Sequence, residues 1–247
     1  MLQPLIALLY AGTQQSAHFS AASSGMFLLI IAIGIAGYIV QARLQSVFKK
    51  YSKVQFPGGL TGAQVAEKML RENNIHNVKV THVAGHLTDH FNPQTMTVNL
   101  SDSVYNSTSV AAAAVAAHEC GHAVQHARDY APLTLRSQLV PVVQFASSAA
   151  TWVILLGLVL LATTRNELVC WIGVALIAMS ALFSLITLPV EYNASARALE
   201  SSRTMQGAQL VQAREALTWA ARTYLVAALG AIASVLYYVF LILGRRD

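Results

Sequence analysis

Four stretches of the chain carry no charged side chain and are about long enough to cross a bilayer. They are residues 24–40, 142–163, 168–190 and 224–243. An apolar run of about 20 residues crosses the hydrocarbon core as an α-helix, because a helix satisfies its own backbone hydrogen bonds. Composition agrees, since 11% of the residues are charged whereas soluble proteins have about 25%. The sequence therefore predicts a mostly α-helical membrane protein with about four transmembrane helices.

Lysine and arginine residues are distributed unevenly between the two sides of these spans. The segments 41–139 and 191–223 carry nine and four of them, and the other side carries Arg165, Arg245 and Arg246. Because short cytoplasmic loops are enriched in positive charge, both longer segments are expected in the cytoplasm. The terminal arginine pair argues mildly for the opposite orientation. Charge placed in this way favours a lipid bilayer as partner and gives no indication of nucleic-acid binding.

The segment between the first two spans has the pattern of a small soluble α+β piece. Helical spacing of apolar residues, strand alternation and capping residues locate its elements. The predicted elements are a helix at 62–72 capped by Thr61, strands at 78–83 and 95–100, a turn-rich stretch at 85–93, and a helix at 110–127 capped by Ser107, Thr108 or Ser109. The region from Pro132 to Pro141 is expected to bend the chain towards the bilayer.

Residues 118–122 read His-Glu-Cys-Gly-His and lie within the predicted helix 110–127. Two histidines four residues apart lie on one face of a helix, with Cβ atoms about 6 Å apart. At that separation His118 and His122 can both bind one Zn²⁺. Glu119 follows the first histidine and can take a proton from water acidified by the metal. This pattern is the H-E-x-x-H signature of metalloproteases.

A catalytic zinc ion needs a third protein ligand and one open position. His126 lies eight residues beyond His118, about 12 Å along a straight helix, so both cannot reach one ion. Position 128 is Arg, not the histidine of the longer motif that supplies a third ligand locally. Glu191 is the first charge after the third span, and a two-helix hairpin returns the chain to the motif side. Glu191 is therefore the predicted third ligand, whereas His126 is expected to support the site, contact substrate or be an ordinary polar residue.

Four motifs follow one another along the chain, namely Gly85–His90, Leu100-Ser101, Ala116–His126 and Leu188–Glu191. With the order of the spans, they resemble the YugP-type neutral zinc metallopeptidases of bacterial membranes, over nearly the whole chain. The resemblance implies a site of the gluzincin kind, with one Zn²⁺ per chain held by His118, His122 and Glu191. It also implies Glu119 as general base. One departure is Asn193, where an acidic residue is expected two positions after the ligand glutamate; an amide there still accepts a hydrogen bond from a ligand histidine but supplies no charge.

The domain organisation follows from the spans and the motif. It comprises an N-terminus with the first transmembrane helix (1–45), a cytoplasmic zinc-binding protease domain (46–139), a transmembrane hairpin (140–190), a cytoplasmic helix carrying the third ligand (191–222), and a fourth transmembrane helix with the C-terminus (223–247). Residues 1–23 contain no Lys or Arg and so are expected to form a short non-cytoplasmic N-terminus instead of a cleaved signal peptide.

The predicted reaction is endoproteolytic cleavage of membrane or membrane-proximal proteins at the cytoplasmic face of a bacterial membrane. Tyr192, His126 and Tyr130 are candidate donors to the oxyanion. The strand 95–100, with Thr97 and Asn99, is a candidate for pairing with an extended substrate.

Two other classes of protein compete with the protease hypothesis. A non-proteolytic scaffold with a structural zinc would not need Glu119, and a transporter would need ionisable residues within its spans, where the sequence has none. A second metal site at His86, Asp89 and His90 is disfavoured by the turn-forming residues around it, and Cys120 is expected in the core. A membrane-protein partner or a homo-oligomer is compatible with the sequence.

Overall fold

The computed structural model describes residues 3–200 and 205–244, with side chains from Ser23 onward. The helices are α1 (Gln3–Tyr51), α2 (Gly62–Glu72), α3 (Val110–Ala127), α4 (Ala131–Thr164), α5 (Leu168–Glu200) and α6 (Ala208–Leu243), and the strands are β1 (Lys79–His82), β2 (His90–Asn92) and β3 (Thr97–Leu100). Within the described ranges, four helices are long and apolar enough to cross a membrane: α1, α4, α5 and α6. The predicted fold class is confirmed, since the chain is mostly helical with a small mixed sheet.

The chain forms two compact units. The helical unit comprises residues 1–37, 138–185 and 226–247, and the mixed unit comprises residues 38–137 and 186–225. In the helical unit α4 and α5 approach each other at glycines. A Cβ atom on Gly157 would lie 2.7 Å from the backbone nitrogen of Cys170. Small residues that allow close backbone approach are typical of helix pairs in lipid, where van der Waals packing holds helices together.

Large apolar side chains of the helical unit point outward. Leu28, Phe145 and Trp152 are 66%, 75% and 74% exposed. Exposure of these side chains to water would be unfavourable, whereas contact with lipid hydrocarbon is not. The exposed apolar surface therefore fits a lipid environment.

Helix α2 is the first α-helix of the mixed unit after α1, and a capping box determines where it starts. The Thr61 hydroxyl accepts a hydrogen bond from the Gln64 amide at 3.2 Å, and the Gln64 side chain accepts one from the Thr61 amide at 2.9 Å. Val65 and Met69, one turn apart, are buried on the inner face. The predicted helix at 62–72 and its cap are confirmed.

The three strands form a sheet in the order β1-β3-β2. The central strand β3 is parallel to β1 and antiparallel to β2, with His90 opposite Asn99. Both predicted strands are present, and the stretch at 85–93, predicted to be turn-rich, also contains the short strand β2. β2 has three residues, too few to show an alternating pattern, and its conformation depends on pairing with β3.

Helix α3 carries the motif and is confirmed at its predicted bounds. Ser109 is its cap, with its hydroxyl accepting a hydrogen bond from the Ala112 amide at 3.2 Å. Most alanines of the helix are buried, and Ala113 and Ala117 are completely so. The narrow, buried helix therefore brings its backbone close to neighbouring elements.

The long helices extend beyond the predicted spans. The stretch from Pro132 to Pro141 does not end a helix, because α4 runs through Pro141 as one helix; the predicted bend there stays a prediction. Pro132 lies in the first helical turn, where a missing N–H costs nothing.

The separate helix predicted at 191–222 does not form. Its residues continue α5 to Glu200 and begin α6 at Ala208, since helix-forming Glu, Ala and Arg follow the apolar run and extend the helix beyond it. The N-terminal prediction for 1–23 and the terminal arginine pair fall largely outside the described side chains.

Candidate metal centre

His118, His122 and Glu191 converge in the mixed unit. The imidazoles project from successive turns of α3, with ring centroids 4.9 Å apart. Glu191, on α5, is buried to 2% exposure. Its Oε2 atom lies 3.1 Å from His118 Nε2 and 3.6 Å from His122 Nε2. The proximity predicted from the hairpin argument is confirmed, although the three residues come from helices far apart in sequence.

The geometry of these donor atoms fits a small tetrahedral ion. Ligands about 2.0–2.1 Å from zinc in a tetrahedron are about 3.3 Å from one another. The two distances to Glu191 Oε2, 3.1 and 3.6 Å, lie on either side of that value, and each residue has a donor atom within 4.8 Å of those of the other two. Two nitrogens and one carboxylate oxygen form the donor set of a catalytic zinc site.

A chain of hydrogen bonds sets the tautomer of His122. Arg197 only donates, so its Nε atom, 2.7 Å from Asn193, identifies that partner atom as the amide oxygen. The same oxygen accepts from Gln125 Nε2 at 3.0 Å, and this orients Gln125 Oε1 towards His122 Nδ1 at 2.9 Å. His122 Nδ1 therefore carries the proton and leaves Nε2 unprotonated for a metal.

Asn193 does not contact a ligand histidine, so the direct hydrogen bond considered from the sequence is wrong. Its oxygen receives hydrogen bonds from Gln125 and Arg197 instead. His118 has a different support, since its Nδ1 atom lies 3.1 Å from the hydroxyl of Ser195. Gln125 and Ser195 are thus the groups that orient the two imidazoles.

Arg136 contacts the oxygen of Glu191 that faces away from the histidines. Its Nη2 atom lies 3.3 Å from Oε1, and this cation compensates a carboxylate that is almost completely buried. Tyr224 also interacts with Glu191. Arg136 and Tyr224 were missed from the sequence, where each looked like an ordinary residue at the boundary of a span.

Glu119 lies in a cavity of about 140 Å³ with His118 and His122. Arg136 and Tyr224 line the same cavity. The Phe91 amide of β2 donates a hydrogen bond to Glu119 Oε2 at 3.1 Å. The carboxylate of the motif is therefore held in the cavity that contains the candidate ligands.

The three predicted oxyanion donors do not line this cavity. Tyr192 is 45% exposed and belongs to a separate depression. The ring of Tyr130 contacts Arg197, with the guanidinium carbon 5.9 Å from the ring centroid. The ring of His126 packs on Phe91 at 5.7 Å between centroids. His126 therefore packs against the residue that holds Glu119, and a supporting role is one of the three considered for it.

The strand predicted to pair with substrate is not available for pairing. Thr97 and Asn99 lie on β3, which already has a neighbour on each side. The edge of the sheet nearest the cavity is β2, because Phe91 and His90 line it. A new strand can pair only with an edge, so β2 replaces β3 as the candidate.

The remaining histidines and acids of the loop before β2 do not form a second metal cluster among the residues that the structure describes. Asp89 accepts hydrogen bonds from the amide and hydroxyl of Ser101 at 2.7 and 2.9 Å. It therefore fixes the loop to the end of β3. Cys120 is completely buried, as predicted, and burial raises the pKa of its thiol, so it is an inert core residue.

The surroundings of His122 carry a negative electrostatic potential. Burial lowers the pKa of this imidazole, but the hydrogen bond to Glu191, the charges of Glu119 and Glu191, and the contact with Gln125 raise it by more. The net pKa lies above the ordinary value. Two carboxylates and two imidazoles in one buried space thus form a site that attracts a cation.

Comparisons with known proteins agree with this geometry. The model of a family described as "Putative neutral zinc metallopeptidase" matches residues 26–243. The chain is 40% identical over 225 residues to "Putative membrane protease YugP" of Bacillus subtilis (strain 168), covering 90% of this chain and 98% of that relative. No solved structure matches the chain significantly. With its four apolar helices it is an integral membrane protein, and it belongs to the family of neutral zinc metallopeptidases.

Proposed function

We propose that the protein is a zinc-dependent endopeptidase whose metal is held by His118, His122 and Glu191. The observation that carries the proposal is the meeting of these three donor groups in one cavity with Glu119. A structural zinc site is closed and needs no carboxylate base, whereas this cavity contains one. Zinc bound there supplies Lewis-acid chemistry, which acidifies water and stabilises negative charge on a carbonyl oxygen.

Glu119 acts as the general base and then as the general acid. Its carboxylate takes a proton from the attacking water and returns it to the leaving amine when the peptide bond breaks. The hydrogen bond from Phe91 holds one carboxylate oxygen in the cavity at 3.1 Å. The hydrogen bond of His122 Nδ1 to Gln125 keeps Nε2 of that ring directed at Glu191. The contact of His118 Nδ1 with Ser195 does the same for the other ring.

Arg136 and Tyr224 are the proposed donors to the substrate oxygen on which negative charge develops. They replace Tyr192, His126 and Tyr130 because both line the cavity. Preorganised donors in a site that excludes water strengthen the stabilisation of such charge.

The proposed substrate is an extended segment of a membrane or membrane-proximal protein. The edge strand β2 borders the cavity, and its outer side can pair with such a segment at groups other than the Phe91 amide, which already donates to Glu119. The excess of Lys and Arg in 41–139 and 191–223 supports a cytoplasmic location for the site.

A comparison of the wild type with Glu119→Gln tests the proposal. Zinc content of the purified full-length protein is measured by elemental analysis, and cleavage of casein with and without chelator. We expect about one zinc per chain in both proteins, and a loss of cleavage by about 10²–10⁴-fold in the variant. Glu67→Gln, an exposed change of the same kind on α2, serves as control.

Three outcomes separate the hypotheses. Cleavage in the wild type alone, abolished by chelation, supports the endopeptidase. Zinc in both proteins with cleavage in neither supports the alternative of a scaffold with a retained zinc site. A wild type that does not load zinc refutes the metal site itself.

A further inference from the structure

Two arginines from distant parts of the mixed unit meet around one indole. On α6 the guanidinium carbon of Arg222 lies 4.2 Å from the ring centroid of Trp219, and that of Arg43 on α1 lies 5.9 Å from it. Both distances are within the range of cation–π contact. Both arginines are exposed, and Trp219 is half-buried.

The two arginines hold equivalent places in the sequence. Arg43 is the first charge after the apolar run 24–40, and Arg222 is the last charge before the run 224–243. Each therefore marks the point where a candidate span ends. Tryptophan is enriched at the same depth, where its ring meets both hydrocarbon and polar headgroups.

No carboxylate in the described part of the chain compensates the positive charge of this pair. Among the described residues neither guanidinium forms an ion pair, unlike Arg71 with Glu67. The single acid of α6, Glu215, accepts a hydrogen bond from the hydroxyl of Tyr51. Each guanidinium therefore keeps its full charge beside the indole, and an external anion is attracted to both.

We propose that Arg43, Trp219 and Arg222 form a binding site for the phosphate of an anionic phospholipid. Guanidinium groups bind phosphate through paired hydrogen bonds, and the indole packs against the glycerol and upper acyl region. Soluble phosphate shares the charge but not the acyl chains, and the two apolar runs beside the arginines favour the lipid. None of the three residues lines the cavity that holds Glu119.

Lipid selectivity of the full-length protein tests the proposal. The association of spin-labelled phosphatidylglycerol, relative to phosphatidylcholine, is measured for protein reconstituted in phosphatidylcholine bilayers. Each cation near a bilayer surface contributes about fivefold to the binding of anionic lipid. We expect the wild type to prefer phosphatidylglycerol and the double variant Arg43→Gln/Arg222→Gln to lose about 5- to 25-fold of that preference.

A matched control removes the same charge elsewhere. Arg71→Gln/Lys79→Gln changes two exposed cations of α2 and β1 that do not adjoin an apolar run, and it should keep the wild-type selectivity. Arg43→Lys/Arg222→Lys keeps the charge without the planar guanidinium and should lose less than the glutamine pair. Thermal unfolding and zinc content confirm that each variant is folded.

Two results would overturn the inference. The first is equal selectivity in the wild type and Arg43→Gln/Arg222→Gln, or an equal loss in the control pair. The second is displacement of phosphatidylglycerol by millimolar glycerol phosphate, which would identify a soluble anion as the ligand. Neither result depends on peptidase activity.

Discussion

Arg136 and Glu191 form an ion pair that uses one of the two carboxylate oxygens and leaves the other to the histidines. Oε1 lies 3.3 Å from Arg136 Nη2, whereas Oε2 lies 3.1 Å from His118 Nε2. One oxygen is therefore engaged by a cation, and the other remains directed at the imidazoles. This division restricts Glu191 to one-oxygen contact with anything bound between the histidines.

Replacement of Arg136 should weaken zinc binding. In Arg136→Gln the carboxylate loses the partner that orients it, and groups of this kind typically contribute about 10–100-fold to metal affinity. The variant also removes the repulsion between Arg136 and the metal ion, which by itself would raise the affinity. That repulsion acts over a longer distance than the contact with Glu191. Competition with a chromophoric chelator measures the affinity, with exposed Arg128→Gln as control. Unchanged affinity in Arg136→Gln would show that helix packing alone positions Glu191.

The second position after Glu191 should tolerate an acid but not an apolar side chain. Asn193 contributes an acceptor to Gln125 and Arg197, so Asn193→Asp keeps the hydrogen bonds and should retain zinc. Asn193→Leu removes one of the two acceptors of Gln125 Nε2, leaves only the Val190 carbonyl oxygen to hold it, and should lower zinc affinity by about 10-fold. Equal affinities of the two variants would contradict the relay from Arg197 to His122.

Gly121 should not accept even a methyl group. A Cβ atom there would lie 2.3 Å from the carbonyl oxygen of Ala194 on α5, so one helix must move. Gly121→Ala is expected to destabilise the mixed unit by about 1–3 kcal/mol and to reduce zinc content, because Glu191 precedes Ala194 by one turn. Gly34→Ala, where a Cβ atom meets nothing within 4 Å, is the control and should be neutral or stabilising in a thermal melt.

The loop before β2 should become less ordered in acid. Asp102 accepts a hydrogen bond from the Gly85 amide at 2.8 Å and contacts His82 at 2.6 Å. The hydrogen bond from Gly85, and then His82, hold the pKa of this carboxyl below its usual value. A depressed pKa means that the stabilisation is complete above about pH 4 and is lost as the pH falls further.

Hydrogen–deuterium exchange over residues 83–89, corrected for the intrinsic rate, measures this effect. Asp102→Ala should exchange faster than the wild type at pH 7, and the difference should narrow as the pH falls below about 4. Exposed Glu72→Ala provides the control. A difference that does not change with pH would exclude the charge of Asp102 as its cause.

Elements whose structure is determined by nearby residues could be predicted from the sequence. The capping box of Thr61 and Gln64, and the helix that carries His118 and His122, depend on residues three or four apart. Glu191 was also predicted beside the histidines, because a hairpin between two spans leaves few places for the chain to return. Its role as a metal ligand stays a prediction.

The rest of the site depends on contacts that no local pattern encodes. The role of Gln125 depends on its partners on α5, which are 65 and 68 positions away in sequence. Arg136 and Tyr224 stand at the ends of apolar runs, where such residues are common in membrane proteins. β2 was missed because three residues cannot show a period, and the substrate strand was therefore placed on β3.

His118 and Glu191 are 73 positions apart in sequence, and the close packing of Gly121 on Ala194 brings their helices together. An unfolded chain does not hold these donors together, so an ion that needs all of them binds only the assembled helices. By linkage, its binding free energy adds to the stability of the assembled helices, at about 2.7 kcal/mol for an ion at 100 times its dissociation constant. A chelator added to such a protein acts as a mild denaturant of the mixed unit.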